Sequence, residues 1–176
     1  GWRLSGCKIQ VLDGSVADAF VVSARTSGDA GQAEGVSLFL VPADAGGICC
    51  ERQRRVDLCG AALVHLDRVE VPRGALVGEL DCGGRLLEEV VDRATAGLCA
   101  EMLGGMSEAF ALTLAHLKQR EQFGVRIGSF QALKHRAARV FIEIELARSA
   151  AMAAARAVDE NTPDRPALVS LAKARC

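Results

Sequence analysis

The stretch Arg120-Glu121-Gln122-Phe123-Gly124, followed by Ile127-Gly128-Ser129-Phe130-Gln131, holds the residue types in this chain best placed to do chemistry. A connector between antiparallel helices needs neither an Arg-x-x-Phe-Gly nor a Phe-Gln pair for its geometry. A phosphate-bearing ligand with an aromatic ring could use all of them. The guanidinium fork of Arg120 matches a diphosphate, Phe123 offers an apolar face, Gly124 removes side-chain bulk, and Gln122 and Gln131 can donate or accept hydrogen bonds. The same residues also fit a plain turn, with Arg120 solvated at a helix C-terminus and the Phe in a core.

Other chemistry-bearing residues carry less. His65 alternates with apolar residues in a strand-like run and His116 lies late in a helical one; no Ser or Cys is tied to either by a nucleophile motif, so both read as structural. The seven cysteines include no Cys-x-x-Cys pair, and no His stands at zinc spacing from Cys49, Cys50 or Cys59. They read as reduced thiols used as small core residues, without a metal site. Lys134, Arg136, Arg139 and Arg148 interleave with Glu143 and Glu145, the pattern of a solvated or salt-bridged face rather than of a nucleic-acid surface.

The elements that must position the connector are legible from periodicity. Up to about Leu80, β-rich runs (Lys8 to Leu12, Ala19 to Ala24, Val36 to Val41, Ala62 to Val71) are separated by Gly, Asp, Ser and Pro, which predicts antiparallel β structure. After Gly83-Gly84 the period becomes helical: Leu98, Met102, Met106, Phe110, Leu114 and Leu117 share one side of a helix from about Arg85 to Gln119. Gly104-Gly105 weakens that helix and would allow a neighbour to approach closely. A second helix is expected from Ser129 as N-cap to about Glu160, apolar on more than one side, and a third from Asp164 to Cys176. The expected fold is α+β and multi-domain: an antiparallel β barrel or sandwich over residues 1–82, then part of an antiparallel helical bundle over 83–176, truncated in its third helix. Two long helices and a stub do not complete a bundle, so further residues or other chains are expected to complete it.

Composition bounds the partners. The 176 residues carry 21 basic and 22 acidic side chains, a formal charge of −1, which gives no electrostatic reason to expect nucleic acid or anionic lipid. A hydrophobic share of 50% and a mean hydropathy of +0.20 support a packed core. No run approaches the ~18 consecutive apolar residues of a membrane span, and Gly1 to Gly6 lack a signal-peptide pattern. The expectation is a cytoplasmic protein with no membrane span.

Arg120 to Gly124 and Gly128 to His135 resemble the signature region of the acyl-CoA dehydrogenases. The resemblance runs back through Ala100 to Gly104 and forward through Glu145 to Arg148. In the β half, Trp2 to Lys8 is similar to the strand entering that family's middle domain, and Val69-Glu70-Val71-Pro72 to its exit. The resemblance implies FAD as cofactor, an acyl-CoA substrate, α,β-dehydrogenation of the thioester, an electron-transfer acceptor, and homo- or hetero-oligomers formed through the helical domain. It also implies that Arg120, Gln122, Phe123 and Gln131 contact a flavin dinucleotide held largely by a neighbouring subunit.

The family's catalytic Glu stands either beyond Cys176 or at the position of Ala94, which cannot act as a base, so no catalytic residue is assigned. Glu101, about 10 Å further along the helix, reads as an ordinary carboxylate. Asp92 matches the Asp of a substrate-holding Asp-x-x-Arg, with Thr95 where the Arg would stand. Gln10, Val11 and Leu12 depart from the family's flavin-facing strand. The alternative is a non-catalytic partner subunit or structural remnant that lends flavin contacts and bundle helices to another chain.

Overall fold

Short runs of β-branched and aromatic residues, punctuated by Gly, Asp and Pro, become six strands in the first part of the chain: β1 (Trp2–Leu12), β2 (Ala19–Arg25), β3 (Val36–Pro42), β4 (Ile48–Gln53), β5 (Ala61–Val71) and β6 (Leu76–Val77). The computed structural model describes residues 1–32 and 34–176, which form two compact units, Gly1–Leu87 and Glu88–Cys176.

The β unit holds two three-stranded antiparallel sheets, β1-β5-β4 and β2-β3-β6. Among the described residues no strand is shared between them, so no hydrogen-bonded ring closes and the barrel alternative gives way to a sandwich. Alternation sets the inner face: Phe20 and Val22 of β2, Phe39 and Val41 of β3, and Val64 and Leu66 of β5 meet in one core with Leu4, Val69 and Val71. Each such fully buried side chain contributes about 1.5–3 kcal/mol. β4, which is not among the β-rich runs named from the sequence, pairs with β5 from Ile48↔Leu66 to Gln53↔Ala61.

The cysteines correct the sequence reading. Cys7, Cys49, Cys50, Cys59 and Cys82 are exposed, and only Cys99 among the described residues is fully buried. Sheet edges and turns, rather than cores, hold most of the thiols. Burial, then the neighbouring Cys99, push the Cys176 thiol up from its ordinary value.

Three helices follow: α1 (Gly83–Gln119), α2 (Gln131–Asp159) and α3 (Arg165–Arg175). Cys99 and Leu103 of α1 are buried in a core with Ile144, Ala147, Ala150, Ala151 and Ala154 of α2 and Val169 and Ala172 of α3. The small residues let the helices pack closely. Met102, Met106 and Phe110 flank this core half-buried, while Leu98, Val140, Phe141, Ile142, Leu146 and Met152 remain exposed. Beyond the backbone of α1 itself, nothing among the described residues lies within 4 Å of a Cβ placed at Gly104 or Gly105, so no close approach explains that pair here. By length and composition alone α1 would suffice to cross a membrane, with a mean hydropathy of 1.2 over its most apolar window. A test by uninterrupted apolar runs misses this helix.

Candidate functional site

α1 ends at the connector because Arg120 N makes the last helical bond, to His116 O at 2.9 Å, and the chain then turns into a β-hairpin. Its strands, β7 (Glu121–Gln122) and β8 (Val125–Arg126), pair Glu121 with Arg126 and Gln122 with Val125. Ile127 N to Arg120 O, at 2.9 Å, closes the ladder. The two turn residues, Phe123 and Gly124, both have positive φ, +54° and +75°, the hand that a two-residue hairpin loop demands.

Gly suits that backbone; a bulky Phe does not, at about 1–2 kcal/mol. Phe123 is also 92% exposed, its ring edge-on to Phe130 with centroids 6.2 Å apart. A Phe that is both strained and hydrated contributes little to folding, which points to a role in binding.

The hairpin is seated by the turn that follows it. A Cβ on Gly128 would stand 2.7 Å from Leu117 O, so only Gly lets residues 127–129 return against the end of α1. Ser129, expected as N-cap, instead donates from Oγ to Arg126 O at 2.7 Å. Phe130 occupies the cap position of α2 without a side-chain cap bond. The amides of Gln131 and Ala132, at the start of α2, have no intrahelical acceptor by helix geometry, which adds a partial positive charge beside Gln131.

The arginines of the connector differ. Arg126 lies 4.0 Å from Glu121, whereas Arg120 is exposed and has no carboxylate within ion-pair distance among the described residues. Arg120, Gln122 and Phe123 thus share one hairpin, and Gln131 opens the helix that it feeds; all four are exposed. The arrangement presents an unpaired guanidinium, an aromatic face, two amide side chains and free backbone donors, which suits an anionic, ring-bearing ligand.

Asp92 is not part of that group. It precedes the end of α1 by 27 residues, about 40 Å along the helix. Its Oδ2 accepts from Arg165 Nε at 2.9 Å, with the two side chains 17% and 13% exposed, and Arg165 also donates to Asn161 Oδ1. Ala94 and Glu101 are exposed on α1. The β7–β8 hairpin, the strain at Phe123 and the Arg165 partner of Asp92 were not visible in the sequence reading. The Phe-Gly pair between short polar segments was the one available hint of a hairpin.

Residues 82–176, more than half of the chain, match the family model described as "Acyl-CoA dehydrogenase, C-terminal domain". The chain belongs to the acyl-CoA dehydrogenase family. Among curated relatives, the short/branched chain specific acyl-CoA dehydrogenase, mitochondrial, of Bos taurus is 29% identical over 163 residues, covering 91% of this chain and 38% of that protein. The L-prolyl-(peptidyl-carrier protein) dehydrogenase of Pseudomonas fluorescens is 33% identical over 165 residues, covering 92% of this chain and 43% of that protein. Among solved structures, PigA with FAD and proline superposes with a TM-score of 0.91 at 26% identity, covering 99% of this chain and 46% of that one. The chain therefore spans about two fifths of the length of the curated relatives it matches.

Proposed function

We propose that this acyl-CoA dehydrogenase family chain serves the FAD-dependent α,β-dehydrogenation of an acyl thioester, and that its own contribution is the hairpin over residues 120–126. The observation that carries the reading is Phe123, held at positive φ and in water beside an unpaired Arg120. Bound FAD supplies a hydride acceptor for the β-hydrogen while the α-proton leaves to a base. The chain's residues have other work. Arg120 holds a diphosphate by its fork, Phe123 lies against a ring, and Gln122 and Gln131 fix orientation by hydrogen bonds. Asp92, already partnered by Arg165 and about 40 Å from the hairpin along α1, serves a different place from Arg120. That separation supports a dinucleotide shared with a second subunit. The exposed apolar side chains Val140, Phe141, Ile142 and Leu146 of α2 give such a subunit a surface to bury.

Two substrate carriers fit. The Bos taurus relative is named for an acyl-CoA, and the Pseudomonas fluorescens relative for an L-prolyl group on a peptidyl-carrier protein. The latter has the higher identity of the two. The second functional reading, a non-catalytic subunit that lends its hairpin to another chain's flavin, is favoured by Ala94 at a position where the resemblance would accept a Glu.

Flavin binding, followed by quenching of FAD fluorescence, tests the proposal on this chain alone and mixed with a full-length relative. Arg120→Gln should weaken binding about tenfold or more, the loss of a charged hydrogen-bonding fork, with no change in melting temperature. Binding only in the mixture selects the non-catalytic reading. Equal FAD affinity of wild type and variant, or none in either setting, overturns the role of the hairpin.

A further inference from the structure

The densest run of positive charge in the chain, Arg52-Gln53-Arg54-Arg55, leaves β4 in the β unit. Arg52, Arg54 and Arg55 line a concavity of about 460 Å³ with Gln53, Leu58 and Cys59, and among the described residues no carboxylate lines it. Arg55 Nη2 is held by Asp57 Oδ2 at 2.6 Å, and Asp57 Oδ1 accepts from Cys59 N at 3.1 Å. Leu58 N returns to Arg55 O at 3.2 Å, and Gln53 Oε1 accepts from Gln10 N at 3.2 Å. The turn is therefore fixed at both ends. Arg52 and Arg54 are exposed and make no side-chain hydrogen bond or ion pair among the described residues.

Three guanidinium groups around one hollow bring convergent donors that an anion can share, while repulsion between them stays small because Arg52 and Arg54 are solvated and Arg55 is paired with Asp57. The turn also carries Leu58 at φ +59° and 89% exposed, with Val56 fully exposed beside it. Neither side chain is packed into the core. We propose that this concavity binds a phosphate-bearing ligand, either a phosphate monoester or a diphosphate. Arg52 and Arg54 supply the forks, and Arg55, braced by Asp57, is the fixed third donor. CoA-type thioester carriers and FAD both bring that chemistry, and the test separates them.

Pyrophosphate is titrated at low ionic strength into wild-type protein and into Arg52→Gln/Arg54→Gln, followed by calorimetry and by amide chemical shifts of residues 52–59. Saturable binding, about tenfold weaker in the double variant, is expected. Melting temperature should not move, since neither side chain bonds to the fold. CoA or FAD is then added, and the one that displaces pyrophosphate identifies the source of the phosphate. Displacement by neither leaves an inorganic phosphate or another phosphate ester as the ligand and still supports the site. No binding, or binding equal in both proteins, overturns the proposal. So does binding that Arg120→Gln abolishes and Arg52→Gln/Arg54→Gln does not, which would put the anion at the hairpin. Loss of this site leaves the flavin reading untouched, because that reading is scored on FAD and Arg120.

Discussion

The two connectors of the helical unit treat their polar residues in opposite ways. Between α1 and α2, residues 120–131 turn Arg120, Gln122, Phe123 and Gln131 outward, with the aromatic on a backbone that suits glycine. Where the connector between α2 and α3 enters α3, Arg165 turns inward onto Asp92, and the exposed Asn161 accepts a second bond from the same guanidinium. Of the eight ion pairs described, this is the only one with both partners less than a fifth exposed. A polar group folded inward with its partner is holding elements together, whereas one kept outward without a partner is available to something else. The contrast separates a residue pair that builds the unit from the residues proposed to meet a ligand.

The largest effect expected follows from the inward connector. Removing one member of a shielded pair leaves the other charge without compensation, so Asp92→Asn and Arg165→Gln should each cost about 2–4 kcal/mol, a little under the range for a fully buried pair. The double variant should cost no more than either single, because both delete the same interaction. Thermal melts of the three proteins check this. Additive losses, or singles that melt with wild type, would show that the pair does not hold α3.

A smaller effect is expected where the outward connector is seated. Gly128→Ala places a methyl 2.7 Å from Leu117 O, and a backbone carbonyl cannot swing aside as a side-chain tip can. About 1–3 kcal/mol should be lost, as for overpacking. Displacement of the hairpin should lower FAD affinity as well. Denaturant unfolding with a parallel flavin titration reads both, and an alanine variant with wild-type values would mean that the turn is free to shift.

How much of this could be read before the fold was known depends on the length over which a signal repeats. The apolar spacing from Leu98 to Leu117 runs for five turns and marks α1 as a helix, while the Gly83-Gly84 boundary placed its start within two residues and its end fell at Gln119 as expected. The connector was singled out by residue type, since an Arg, a Phe and a Gln at those spacings serve no turn geometry. β4 escaped because Ile-Cys-Cys-Glu-Arg-Gln has no alternation to announce a strand. β7 and β8 are two residues each, too short for any period to show. The partner of Asp92 lies 73 residues away, and nothing local marks it. Ser129 was taken as a cap on residue type, yet the 3₁₀ turn over Ile127–Ser129 carries its hydroxyl back to Arg126 instead.

The smallest stability change, and the sharpest test of the contrast, comes from Phe123→Asn. Asn adopts positive φ with less strain than Phe, so about 1–2 kcal/mol of backbone cost is relieved. Against that stands the edge contact with Phe130, worth about 0.5–1 kcal/mol. Almost nothing else is lost, because the ring is 92% exposed. The variant should therefore be as stable as wild type or more stable by up to about 1 kcal/mol, while binding FAD more weakly. A residue kept for folding would move both quantities down together. Opposite signs in the melt and in the flavin titration would locate the reason for the strain outside the fold, in the ligand the hairpin meets. A variant that binds FAD as well as wild type would remove Phe123 from the site, leaving Arg120 and the two glutamines to hold the dinucleotide by charge and hydrogen bonds alone.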